Sequence, residues 1–267
     1  MSDATRGDLG IGLPGETPAA TVERVAALAE ELGFASFWLN DTPRGDSLAG
    51  LRAAADSTRR IRLASGVIPI DRRSAAQIIG DVRDLDLPEG RLVVGIGSGG
   101  LARPLAAVAE AADALQSALE AGIVIGALGP RMRRLGATGS DGVLLNWLTA
   151  PIAAETADEI HRAAGDAGRD GRAILYLRTA IEPDAREALA QQAALYGSIP
   201  SYAKNFAALG ISALDAAIGP DDDVSGRLGE YLTSVDEVVL RVITADASER
   251  SYLDFVKRAA DLARDGG

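Results

Sequence analysis

Cysteine is absent from this sequence, histidine occurs once and lysine only twice. The missing cysteine excludes disulfides, thiolate metal sites and a cysteine nucleophile together. The lone His161 falls inside a helical pattern over residues 155–167. A histidine-rich zinc site cannot be assembled around it, and it reads as a surface or packed helix residue. Lys204 and Lys257 follow no strand-like run, so a Schiff-base mechanism has no evident nucleophile. No apolar run approaches the roughly 18–20 residues of a membrane span, and residues 1–8 are too polar for a secretory signal. With 38 acidic against 27 basic residues, the net charge of −11 repels phosphate backbones and anionic lipid. Nucleic-acid, membrane and metal-centred roles are therefore disfavoured. A cytoplasmic address is expected, with the chemistry carried by a bound cofactor.

What is present is a chain of 267 residues, 47% hydrophobic and 24% charged, the size of one large α/β domain. Strand-like runs occupy residues 9–13, 36–39, 61–67, 92–97, 123–126, 143–146, 173–181 and 237–244. Alanine-rich helical stretches alternate with them, the first capped by Thr17 with Pro18 at its first position. Eight strand–helix units point to a (β/α)₈ (TIM) barrel forming a single domain over residues 1–267, whereas a doubly wound sheet would use five to seven strands. The one long connection, residues 183–235, lies between the seventh and eighth strands and is expected to run over one end of the barrel. By strand parity Gly10, Gly12, Trp38, Asn40, Gly95, Gly97, Asn146, Tyr176, Arg178 and Arg241 face inward. Polar inward residues near strand C-termini are where barrel enzymes keep their sites. The competing reading for Arg241 is a buried ion pair plugging the barrel.

Two glycine-rich turns stand out. Gly95-Ile96-Gly97-Ser98-Gly99-Gly100 matches G-x-G-x-x-G, but no acidic residue ends the next strand and the helix begins only near Pro104, so a dinucleotide fingerprint is a poor fit. Nor is it a hydrolase elbow, since position 96 is isoleucine. It reads better as a turn that lets main chain approach a flat ligand. Gly126-Ala127-Leu128-Gly129-Pro130 leads into a helix opened by proline and followed by Arg131, Arg133 and Arg134. Amides at a helix start bind phosphate well, although an ordinary strand-to-helix turn has the same composition. Asp41 after the second strand is either a turn acid or a ligand-facing group. Trp147 after the sixth strand either walls a pocket or covers the barrel end.

Residues 29–34 followed by 37–39, and residues 58–69, 90–99, 125–132 and 140–151, resemble the luciferase-like monooxygenases. The coenzyme F420-dependent (deazaflavin) oxidoreductase branch is the nearest in pattern, and the order and spacing cover most of residues 9–168. The resemblance implies a luciferase-like TIM barrel that binds F420, or alternatively FMN, at the strand C-termini. A non-prolyl cis peptide would map to Gly66–Val67. The ring would lie over Gly12, Asn40, Ser65, Gly66, Val67, Gly97, Ser98 and Gly99, with phosphate near Gly126, Ala127, Leu128, Gly129 and Pro130. Many members carry histidine or glutamate at the end of the second strand, where this chain has Asn40-Asp41, and the family's usual long insertion between the fourth and fifth strands is nearly absent.

The expected activity is hydride transfer between F420 and a small organic substrate. Asn40 and Asp41 are the catalytic candidates, and Asn146, Trp147 and Arg178 face the substrate. Asp41 serves as acid or base only if burial raises its pKa. The alternatives are an FMN monooxygenase served by a separate reductase and a ligand-binding paralogue without turnover. A homodimer through barrel helices is the assembly the resemblance suggests, and the high arginine-to-lysine ratio fits a GC-rich bacterium. All of these expectations require a glycine-lined recess beside Gly97 and Gly129.

Overall fold

The computed structural model describes residues 6–265; residues 1–5, part of the polar start noted above, and 266–267 lie outside them. The strands are β1 (Asp8–Pro14), β2 (Ser36–Asn40), β3 (Arg62–Pro69), β4 (Leu92–Gly97), β5 (Gly122–Gly126), β6 (Gly142–Asn146), β7 (Arg172–Thr179), β8 (Ala217–Ile218) and β9 (Glu237–Val242). All pairings between them are parallel. Consecutive pairing from β1 to β7, with β9 joining β7 to β1, closes an eight-stranded barrel, and the two-residue β8 adds only to the end of β7. The helices between them are α1 (Ala19–Glu31), α2 (Ser47–Ser57), α3 (Ala75–Asp84), α4 (Pro104–Ala118), α5 (Pro130–Gly139) and α6 (Ala150–Asp166), with α10 (Glu249–Asp265) closing the ring. The expected TIM barrel is the observed fold. Between β4 and β5 there is one helix, α4, so the short connection is also observed.

Two chemical layers explain why the chain closes this way. Outward strand residues such as Ile11, Phe37, Leu63, Val94, Ile123 and Leu240 join the helices in one apolar core. Inward residues form a smaller second core of Trp38, Ala64, Val124, Leu144, Ile174, Tyr176 and Val239 inside the barrel. This is the period-2 alternation of strands buried on both faces. Helix starts follow local chemistry. Ser74 and Gln77 form a reciprocal capping box on α3, and the Asp46 side chain accepts from the Leu48 and Ala49 amides on α2. The first helix departs from expectation. Pro18, not Thr17, occupies its cap, because the Thr17 hydroxyl is drawn back to the Pro14 carbonyl at 2.7 Å. Among the described residues no helix is long and apolar enough to cross a membrane.

The long connection after β7 holds α7 (Arg186–Ser198), α8 (Pro200–Leu209) and α9 (Val224–Leu232) as well as β8. The helical patches read at residues 184–196 and 202–209 are α7 and α8, while α9, interrupted by Gly226 and Gly229, follows the polar turn at 220–223 and is not legible as a helix in the sequence. Its start is fixed by the Asp223 side chain accepting from the Gly226 amide at 3.0 Å. The first part of the excursion has a core of its own, where Trp147 and Ala180 from the barrel meet Leu189, Ala193, Phe206 and Ile243. This clamps α7 and α8 over the C-terminal end of β6, β7 and β9.

The opposite end of the barrel is closed by charge. Glu237, 1% exposed, accepts hydrogen bonds from Ser36, from Trp38 Nε1 at 3.0 Å and from Arg62 at 3.0 Å, and lies 3.3 Å from Arg172. Both arginines also reach Asp8, at 2.7 and 2.9 Å. A cavity of about 190 Å³ sits above this network, lined by Ser36, Trp38, Ala64, Val124 and Glu237 among others. The buried ion-pair plug weighed for Arg241 thus exists, but at the N-terminal end and around other arginines.

Candidate functional site

At the C-terminal end, the side chain of Asn40 ties three elements together. Its Nδ2 donates to the Gly66 carbonyl, and its Oδ1 accepts from Arg241 Nε at 2.9 Å and from the Tyr176 hydroxyl at 3.4 Å. The Gly66–Val67 peptide is cis, at the place the resemblance indicated. The strand register shifts there, between Ser65 and Ile68. A side chain at Gly66 would press on Trp38, Leu144 and Tyr176 at 3.0–3.4 Å, and one at Gly12 would overlap the Tyr176 hydroxyl. The floor of this end is thus the Gly66–Val67 peptide with the Trp38, Leu144 and Tyr176 side chains packed against it, and Tyr176 covers Gly12. Burial is the main influence on the Tyr176 phenol and pushes its pKa up to about 12, although Arg241 and Arg178 act in the opposite sense.

The two glycine turns behave differently. In the first, a side chain at Gly97 would meet a Val67 methyl at 2.7 Å, so that position is covered and not open as expected. Gly99 has φ +55° and packs directly against the Asp71 carboxylate, which also accepts from the Gly100 amide at 2.7 Å. Only glycine fits there. An acid already bound to an amide also makes this turn unsuited to phosphate, in agreement with rejecting the dinucleotide fingerprint. Ser98 is half-buried beside it, its hydroxyl 3.5 Å from the Gly99 carbonyl. The Ser65 hydroxyl is fully buried and bridges the Gly95 amide (3.0 Å) and carbonyl (3.3 Å), so it holds β3 to β4.

The second turn is open. No atom lies within 4 Å of where a Gly129 side chain would sit, and α5 has no side-chain cap. The Ala127 amide is engaged by the Leu144 carbonyl at 3.1 Å. Among the described residues the amides of Leu128, Gly129 and Arg131 have no partner. Arg133 braces the turn from behind through the Leu128 carbonyl at 3.1 Å, and Arg131 is exposed at the helix start. Gly129 thus faces open space while Gly97 is covered, so the recess expected beside both does not extend to Gly97.

On the other side of the mouth, Arg178 is 3% exposed and donates to Asn146 Oδ1. Its guanidinium lies over the rings of Trp147 at 4.3 Å and Tyr196 at 4.6 Å, with Tyr176 at 6.0 Å. Such stacking stabilises a desolvated cation. Burial nevertheless pulls its pKa below the usual arginine value. Asn146 Nδ2 reaches the Tyr202 hydroxyl at 3.5 Å, so α7 and α8 each contribute a tyrosine to the mouth. Trp147 is fully buried with φ 56°, a backbone region that tryptophan seldom occupies. Its packing on Tyr196 (5.1 Å) and Phe206 (5.9 Å) holds it there. It packs beneath α7 and α8 at the end of the barrel.

Asn40, Asn146, Trp147 and Arg178 are therefore brought to one end of the barrel with Gly12, Gly66 and Val67. Asp41 is not free. Its Oδ2 accepts from the Ser47 amide (3.3 Å) and hydroxyl (3.1 Å), and Oδ1 from Arg72 (2.9 Å). It serves the turn into α2 and reaches no acceptor or donor of the floor. His161 pairs with Asp236 at 2.8 Å near the N-terminal end. Sequence reasoning missed Asp71, Tyr196 and Tyr202. For the tyrosines there was a signal: of five in the chain, three (Tyr176, Tyr196, Tyr202) gather at this mouth.

Comparison with known proteins agrees with this architecture. The family model for luciferase-like monooxygenases matches residues 3–121 and 115–250. The 5,10-methylenetetrahydromethanopterin reductase of Methanolobus tindarius is 29% identical over 218 residues, 67% of each chain. Among solved structures, an F420-dependent secondary alcohol dehydrogenase in complex with an F420–acetone adduct superposes with TM-score 0.76 at 14% identity, covering 98% of this chain and 100% of that one. A riboflavin lyase holding modified FMN and riboflavin gives TM-score 0.68 at 13% identity, with 98% and 92% covered. At such identities the structural likeness speaks for the fold, and the matched residues for descent: the chain belongs to the luciferase-like monooxygenase family.

Proposed function

We propose that this protein, as one unit over residues 1–267, is an oxidoreductase that moves a hydride between coenzyme F420 and a small organic substrate. The observation that carries this reading is the uncapped start of α5. Unpartnered amides, an open Gly129 and the exposed Arg131 suit a phosphate there, on the same rim as the cis Gly66–Val67 peptide. The residues at the α5 start therefore fit an anionic tail, and in this reading the flat group that carries it lies against the Gly66–Val67 peptide. The Gly66–Val67 peptide, Ser98 and Gly99 would lie along the ring, with Leu128, Gly129 and Pro130 at the phosphate, whereas Gly12 and Gly97 are covered by Tyr176 and Val67. When bound, such a group supplies the hydride chemistry. The chain's part is to orient the ring against the floor, to exclude water with α7 and α8, and to fix polar atoms beside the substrate.

Asn40 is a positioning residue in this reading: it fixes the Gly66 carbonyl and the Arg241 and Tyr176 side chains. Asn146, Trp147 and Arg178 face the substrate. A second reading, a ligand-binding relative without turnover, draws support from the floor itself. Among the described residues no carboxylate or imidazole there is free to move a proton, since Asp41 is held by Ser47 and Arg72.

Fluorescence titration of the purified protein with F420, FMN and FAD tests the proposal. Saturable F420 binding, followed by its reduction with a donor substrate, is the expected result. Binding of none of the three rejects it. Preference for FMN, with oxygen consumed when the flavin is supplied reduced, assigns the protein to the monooxygenases. A cofactor that binds and is never reduced assigns it to the second reading.

A further inference from the structure

Arg178 and Arg241 stand directly opposite each other in the β7–β9 register, both on the inward face. Like charges so placed repel one another. Among the described residues neither has a carboxylate within 4 Å, whereas Arg62 and Arg172 at the other barrel end share both Glu237 and Asp8. Arg178 Nε and Trp147 Nε1 are buried donors without acceptors. Of the five such unpartnered buried side-chain atoms among the described residues, four lie where elements meet at this end: Trp147, Arg178, Asn205 and Thr244. Arg241 uses Nε on Asn40 and one terminal nitrogen on the Val242 carbonyl, which leaves its other nitrogen available. Buried donors left without acceptors are costly, and an unneutralised buried cation more so.

We infer that the corner formed by β6, β7 and β9 binds the carboxylate of an anionic substrate, held by Arg178 and Arg241. The inference rests on the proposed function only in taking this mouth as the substrate face. A guanidinium fork matches a planar carboxylate with two parallel hydrogen bonds. The aromatic rings of Trp147, Tyr196 and Tyr202 favour an apolar body attached to that carboxylate. The same donors suit a phosphate of the cofactor tail. That tail has its own place at the α5 start, following β5, with β6 between it and β7.

The test uses the full-length protein, free and loaded with whichever cofactor it binds. Calorimetry measures acetate and benzoate against the neutral amides acetamide and benzamide, and against inorganic phosphate. At least one carboxylate is expected to bind saturably, about tenfold or more tighter than its amide. Arg241→Gln and Arg178→Gln are each expected to weaken it about tenfold or more, and Arg241→Gln decides alone if Arg178→Gln fails to fold. The inference is overturned if no carboxylate binds saturably in either form, if the amides bind equally well, or if Arg241→Gln leaves the affinity unchanged. Phosphate binding there more tightly than either carboxylate also overturns it, assigning the charge to the cofactor tail. Cofactor binding without carboxylate binding sinks this inference alone, and carboxylate binding without any cofactor sinks the proposed function alone.

Discussion

Replacing Asn40 by alanine removes three hydrogen bonds at once. The Gly66 carbonyl, Arg241 Nε and the Tyr176 hydroxyl each lose a partner where water has little access. A neutral hydrogen bond is worth about 1 kcal/mol net and one to a charged group about 1.5–3 kcal/mol. The Tyr176 contact, at 3.4 Å, contributes least, so the sum is about 3 kcal/mol. For a chain of this size that lowers the melting midpoint by about 6–12 °C. Asn40→Asp is the informative companion. It keeps an oxygen for Arg241 and Tyr176 and adds a charge to match Arg241, while the Gly66 carbonyl loses its donor and faces an oxygen instead. Calorimetric melting should therefore rank wild type above Asn40→Asp and Asn40→Asp above Asn40→Ala. The reasoning fails if Asn40→Ala melts within about 1 °C of wild type, or if aspartate is as damaging as alanine.

Three further outcomes are expected. Gly129→Ala should keep or raise stability by up to about 1 kcal/mol, since its backbone angles suit any residue and the new methyl meets open space. It should nonetheless weaken cofactor binding, and an unchanged affinity in a fluorescence titration would remove the phosphate from this turn. Glu237→Gln should lower stability by about 3 kcal/mol, the low end for a broken buried ion pair because Asp8 still holds both arginines. Cofactor affinity, measured in the same way, should not change, because this network lies at the far end of the barrel. Tyr176 should stay protonated where ordinary tyrosines ionise. Its folded pKa of about 12 against 10 unfolded means the native state holds the proton more tightly, so this contribution is full below pH 10 and is lost as pH rises to 12. The loss amounts to about 3 kcal/mol. Phenolate absorbance at pH 10–11 should be the same in Tyr176→Phe as in wild type, and a clear decrease in the variant would refute the shift.

The barrel was legible because its strands are buried on both faces and its helices on one, so periodicity alone separates them. Parity correctly set Trp38, Asn40, Tyr176, Arg178 and Arg241 inward. What parity cannot convey is the occupant of a neighbouring position. Gly97 resembled open space in the sequence, yet a Val67 methyl reaches it across the register shift in β3. Asp41 resembled a ligand-facing acid because its partners, Arg72 and Ser47, come from the next two turns. The excursion was the least readable segment. Its helices at 184–196 and 202–209 were legible, but the partners of its aromatic residues, Trp147 and Arg178 at the ends of barrel strands, are a long-range relation that the buried positions of α7, Leu189 and Ala193, do not convey.

The two ends of the barrel set the same residue type to opposite uses. At the N-terminal end Arg62 and Arg172 sit a third exposed and are neutralised by Glu237 and Asp8, an arrangement that seals the barrel and lowers the pKa of Asp8 even though its partial burial pulls the other way. At the C-terminal end Arg178 is almost wholly buried and is met by an amide oxygen and aromatic faces, which stabilise a cation less than a carboxylate does. If that end served stability alone, an acid at position 146 or 176 would satisfy it, and an apolar residue at 178 would serve better still. A buried cation kept without its counter-charge instead favours the state in which something negative arrives. On the inference drawn above, that would separate a mouth built for a ligand from a plug built to close a barrel, and would make the charge at this corner, more than the glycines opposite, the property on which substrate selection turns.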